Sequence, residues 1–176
     1  MFTRTSIGGL LLEDVEGWSF AVQHGVIAGR FRDDVGILRI TTVAANRLPH
    51  PVTHEACLLR AAKLADVADP KPSDWKTSPS VTGPYGSANF DRGSDRVFCW
   101  YCCRSPGVIV GTYSCPAEVS RTFANRGVRM QCNRMITTAV FDRRIWGAND
   151  EITQVVIALL GADDVQDEDA GANDQP

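Results

Sequence analysis

The chain contains six cysteines, Cys57, Cys99, Cys102, Cys103, Cys115 and Cys132. Thiols at that density could hold zinc, cycle through a disulfide or attack a substrate, and each chemistry demands a different local backbone. A zinc knuckle needs a turn and a redox CxxC needs a helix start, so that both sulfurs point one way. Cys99 and Cys102 fall instead in Val97–Cys103, where Val, Phe, Cys, Trp, Tyr, Cys and Cys follow one another as an extended strand. Residues three apart on a strand face opposite sides. If Arg104–Gly107 closes a tight hairpin, Cys103 pairs with Val108 and Cys115 falls opposite Arg96. No ligand set converges, so neither a metal nor a cofactor is expected.

Cys115 is the candidate catalytic residue. Cys115-Pro116-Ala117-Glu118 imitates a capping box, with proline at the first helical position, glutamate at the third and cysteine in the cap. A thiol there would meet unpaired amides and the helix dipole, which lower its pKa and raise its reactivity. A nucleophilic cysteine also needs a base, and the choice is His24, His50 or His54. His50 and His54 have the spacing of a helical metal pair, but Pro51 starts the helix after His50, and His54-Glu55 lacks the second histidine of HExxH. The chain has no Walker loop, no GxGxxG and no GxSxG elbow.

The other candidate is an interaction surface made of Arg121, Arg126, Arg129 and Arg134. All 18 basic residues lie at or before Arg144 beside 13 of the acidic ones, a formal +5, whereas residues 145–176 carry eight acids and no base. On an ideal wheel of about 100° per residue the four arginines spread around the helix and form no single stripe. The aromatics alternate with strand hydrophobes, which is core behaviour and not a stacking platform for bases. Nucleic acid is therefore not the expected partner.

The elements that would position these groups read as two rounds of strands followed by a helix. Gly17–His24, Val26–Arg32 and Ile37–Val43 are short strands separated by turns, hence antiparallel neighbours. Helix is expected from about Thr53 to Val67, burying Ala56, Leu59, Leu64 and Val67 with Ala61 or Ala62. The proline-rich stretch 68–80 reads as an irregular connection anchored by Trp75. Val81–Phe90, interrupted by glycine and proline, is a strand near an edge or bulge. Val97–Cys103 and Val108–Ser114 follow, the former apolar on both faces and therefore covered on both sides. From Pro116 a helix would run to Ala139. Its apolar face shifts between Val119/Phe123 and Val128/Cys132/Met135/Ile136, which predicts a break near Asn125–Gly127. A last short helix is expected at Glu151–Leu160.

At 176 residues, 44% hydrophobic and 22% charged, the chain can close one core, so residues 1–160 are expected to form a single domain. Residues 161–176 are acidic, carry Val165 as their one large aliphatic, and are expected to be a disordered tail. The N-terminal sequence offers only a short apolar patch interrupted by Glu13 and Asp14, so neither membrane insertion nor secretion is expected. A cytoplasmic, reducing compartment with free thiols follows.

The order of elements resembles the Mog1/PsbP-like α/β/α sandwich. The resemblance rests on Trp18-Ser19-Phe20 leading to Gly36–Thr41, on Trp100-Tyr101 followed by Val110–Pro116, and on a closing helix ending Arg134–Thr138, about residues 15–141 in all. It implies an α+β domain with an antiparallel sheet of about six strands and helices on both faces. The family includes nuclear transport factors, photosystem subunits and bacterial immunity proteins or secretion chaperones, and no functional motif of theirs maps onto this chain. The favoured reading is a non-catalytic module, adaptor-, immunity- or secretion-chaperone-like, acting on one protein partner. Two alternatives stay open: a thiol-dependent enzyme built on Cys115, and a nucleic-acid-associated module shielded by its acidic tail.

Overall fold

The computed structural model describes residues 4–13, 15–32, 35–44, 53–67, 75–78, 85–104 and 106–146. In chain order the strands are β1 (Thr5–Ile7), β2 (Leu10–Leu12), β3 (Trp18–Gln23), β4 (Val26–Phe31), β5 (Ile37–Ala44), β6 (Trp75–Ser78), β7 (Tyr85–Arg92), β8 (Asp95–Arg104), β9 (Gly107–Pro116) and β10 (Val140–Phe141). Helix α1 (His54–Leu64) follows β5, α2 (Phe123–Thr138) precedes β10, and the single turn α3 (Arg143–Trp146) comes after it. Seven strands form one sheet in the order β3-β4-β5-β9-β8-β7-β6, every neighbouring pair antiparallel, while β1, β2 and β10 form a small second sheet.

The two-sided hydrophobicity of β8 sets the layers. Val97, Cys99, Tyr101 and Cys103 join Val108 and Val110 on one face, covered by Cys57, Leu58 and Ala61 of α1. Phe98, Trp100 and Cys102 lie on the other with Ile109 and Tyr113, covered by Val128, Cys132, Met135 and Ile136 of α2 and by the small sheet. Burying each large aliphatic in these layers stabilises the fold by about 1.5–3 kcal/mol relative to exposure. The hairpin register is the expected one: Cys103 pairs with Val108 and Arg96 with Cys115. Gly107 is fixed by close approach, because a Cβ there would sit 2.2 Å from the Val43 carbonyl oxygen on the neighbouring strand.

Helix α1 begins where expected, with the Thr53 hydroxyl accepting from the Ala56 amide at 3.1 Å. Its buried stripe is Cys57, Leu58, Ala61 and Ala62, and Leu59 faces outward at 52% exposure. Of the expected stripe, Ala61 and Ala62 are buried and Leu64 and Val67 pack partly buried on the same core, whereas Leu59 turns outward because Cys57, a small hydrophobe here, and Leu58 take the inward positions of the first turns.

The helix expected from Pro116 begins only at Phe123. Strand β9 runs through Cys115 to Pro116, a short 3-10 turn covers Val119–Arg121, and α2 starts at Phe123. Thr122 caps it, accepting from the Asn125 amide at 3.2 Å. A proline can end a strand as readily as open a helix, and the pairing of Asp95 with Pro116 decides the case. Phe123 is 92% exposed, so the conflict of faces that predicted a break at Asn125–Gly127 is resolved at Thr122 instead. The sheet gains a seventh strand because Trp75–Ser78, expected within an irregular connection, pairs with β7. The expected helix at 151–160 and the acidic tail at 161–176 lie outside the described residues. No described helix is long and apolar enough to cross a membrane.

Candidate interaction surface

Where the chain leaves β9 it is held against the end of the β7–β8 hairpin: the Ala117 amide donates to the Ser94 carbonyl at 2.9 Å. The Ser120 hydroxyl donates to the Ala117 carbonyl at 2.7 Å and closes the 3-10 turn. That path places the first turns of α2 beside β7 and β8. Between them lies a groove of about 550 Å³, whose lining includes Arg96, Arg121, Arg126, Arg129, Asp91 and Phe98.

The charges in this groove are unequal. Arg96 donates to Asp91 Oδ1 at 2.6 Å and is neutralised. The Arg129 guanidinium lies 4.4 Å from the centre of the Phe98 ring, and its buried Nε has no hydrogen-bond partner among the described residues. Among the described residues no carboxylate pairs with Arg121, Arg126 or Arg129. Three unpaired guanidinium groups thus line one groove whose one acid among the described residues, Asp91, is already engaged by Arg96. Such a place attracts an anionic partner, because the cations repel one another until countered.

The outward face of α2 continues from the groove. Phe123 and Met130 are 92% and 67% exposed, and Gly127, one turn after Phe123, has open space where a Cβ would stand. Arg134, expected with the other arginines, lines a separate groove with Glu16, Phe31, Arg32, Met130 and Gln131. Of the four arginines singled out in the sequence, the structure brings three together and not the fourth. Arg96 is the member that wheel reasoning missed, although its register opposite Cys115 already placed it beside the chain entering α2.

Cys115 is not where its proposed chemistry needs it. It is buried near the end of β9, and its thiol donates to Asn125 Oδ1 at 3.6 Å. Asn125, buried in α2, donates in turn to the Tyr113 hydroxyl at 2.6 Å. The amides that begin α2 belong to Thr122's cap and not to Cys115, so the expected activation by a helix start is absent. His24 is exposed in the β3–β4 turn, and His54 sits on α1 across the sheet from Cys115. His50 lies outside the described residues. Cys99 and Cys102 occupy opposite faces of β8, as the alternation predicts. Burial raises the Cys99 pKa to about 12, with the Arg92 charge a smaller opposing effect.

No family model matches this chain, and no curated protein does. Among solved structures it is similar to the solution structure of cyanobacterial PsbP (CyanoP) from Synechocystis, at a TM-score of 0.51 and 12% identity over 80% of this chain and 92% of that one. A crystal structure from Bacteroides thetaiotaomicron aligns at a TM-score of 0.44 and 12% identity, and the 77% of this chain that it covers spans 46% of that longer chain. The antiparallel sheet, its two helical layers and the likeness to cyanobacterial PsbP define an α+β protein of the Mog1/PsbP-like fold. At this identity the likeness is one of fold, and function has to be argued from the surface.

Proposed function

We propose that this chain is a non-catalytic protein-binding module that receives an acidic segment of one protein partner in the groove beside the start of α2. An adaptor, immunity or secretion-chaperone role in the cytoplasm is the finer form of the same reading. The observation that supports it is the convergence of Arg121, Arg126 and Arg129, unpaired with any described carboxylate, next to the exposed Phe123. Arginine and aromatic side chains at the edge of a groove are the usual anchors of protein interfaces. A base-stacking role has less support, since the Phe98 ring already carries the Arg129 guanidinium. The thiol-enzyme alternative loses its premise with Cys115 buried in a strand.

A titration followed by amide chemical shifts tests this reading, with a glutamate-rich peptide and a single-stranded oligonucleotide of equal charge as the two probes. The peptide is expected to move the resonances of Arg121, Phe123, Arg126 and Arg129, and Arg121→Glu with Arg126→Glu is expected to abolish the effect. Tighter binding of the oligonucleotide would favour the nucleic-acid alternative. Absence of shifts with either probe would sink the groove as a docking surface.

A further inference from the structure

Cys57 of α1 and Cys103 of β8 meet on the face of the sheet away from the arginine groove, with their sulfurs 3.7 Å apart. Both are free thiols and both are buried, at 1% and 2% exposure. We propose that they form a modification site, a thiol pair that closes to an intramolecular disulfide on exposure to a peroxide and fixes α1 to the central strand.

Closing the bond requires the sulfurs to approach to about 2.05 Å, a movement that side-chain rotation and a small shift of the helix supply. Access comes from the position of Cys57 in the first turn of α1. Its amide donates to the Thr53 carbonyl at 3.2 Å, the bond at which the helix begins. Helix ends open at lower cost than the core, so fraying of this turn exposes Cys57 while the sheet stays paired. His54, half-buried at the start of the same turn, is hydrogen-bonded through Nδ1 to the Tyr101 hydroxyl and holds the turn down in the closed state.

The two sulfurs have distinct parts in the reaction. The hydrogen bond to Cys57, followed by burial, pushes the Cys103 thiol far above its ordinary pKa, so Cys103 keeps its proton. Cys57, the sulfur that opening of the first turn of α1 exposes, attacks the peroxide and gives up its proton to the departing oxygen. The peroxide O–O bond breaks, one oxygen stays on Cys57 as a sulfenic acid, and the other leaves as water. Cys103 sulfur next attacks Cys57 sulfur, the S–O bond breaks, and the second oxygen leaves as water with the Cys103 proton. Two thiols are oxidised by two electrons in total and one hydrogen peroxide is reduced to two waters.

The test exposes the full-length protein to hydrogen peroxide, then titrates thiols after denaturation and maps peptides without reduction. Two of the six thiols should disappear, and the linked peptides should contain Cys57 and Cys103. In Cys103→Ala, a sulfenic-acid trap should label Cys57, and a near-ultraviolet circular dichroism spectrum confirms that this variant folds. Should it not fold, the wild-type peptide map decides alone. A titre that stays at six, or a linkage between any other pair, overturns the proposal.

Discussion

The guanidinium of Arg129 on α2 stacks over the ring of Phe98 on β8, 4.4 Å from its centre. This contact ties the helix to the sheet at the floor of the groove and spends an aromatic face that a nucleic acid would otherwise use. Arg129→Lys should cost about 1 kcal/mol, because a compact ammonium cannot lie flat on the ring as a guanidinium does. Urea denaturation measures the loss, and an unchanged midpoint would show that the stacking contributes nothing.

Gly127 offers a way to separate folding from binding. It lies inside α2 with open space where a Cβ would stand, so Gly127→Ala should stabilise the protein by about 0.5–1 kcal/mol through helix propensity. The added methyl group meets no atom within 4 Å and lies on the side of α2 that lines the second groove. A higher melting temperature with unchanged binding of the acidic peptide is expected, because Gly127 lies outside the arginine groove. Gly107→Ala, which drives a Cβ onto the Val43 carbonyl, should instead lower stability.

Asp142 makes the small sheet sensitive to acid. Its carboxylate accepts from Arg144 Nε at 3.0 Å and Nη2 at 2.7 Å, and from the Ser6 hydroxyl of β1 at 2.7 Å. The Arg144 bonds first, and the Ser6 bond second, hold its pKa well below the ordinary 3.8. A carboxylate depressed on folding stabilises fully above its unfolded value, and that contribution is lost as pH falls toward the folded one. The difference in melting temperature between wild type and Asp142→Asn should therefore be largest near neutrality and narrow below about pH 4. A difference that stays constant with pH would refute this account.

Residues 163–176 carry six acids, and their removal moves the formal net charge from −3 to +3. Truncation before Asp163 should change stability by less than about 0.5 kcal/mol, the range of surface changes. Affinity for DNA or RNA should remain negligible. Salt-sensitive binding that emerges only in the truncated protein would support the shielded nucleic-acid reading over the protein-binding one.

Local periodicity determined much of the scaffold. Alternation in β8 placed Cys99 and Cys102 on opposite faces, the tight turn after Arg104 fixed the pairing of Cys103 with Val108, and Thr53 marked the start of α1. These features depend on neighbours a few residues apart, and the chain itself supplies those neighbours. The tertiary structure alone decided the rest. Pro116 suits a strand end and a helix start equally, and the choice fell to Asp95 on the adjoining strand. The 75–78 stretch became β6 because β7 offered it an edge. The groove needed Arg96 from one strand to meet Arg121, Arg126 and Arg129 beyond the next, and Cys57 needed a sheet to bring Cys103 against it. A sequence sets the direction of each side chain along its element; what stands opposite it is set by packing between elements far apart in the chain.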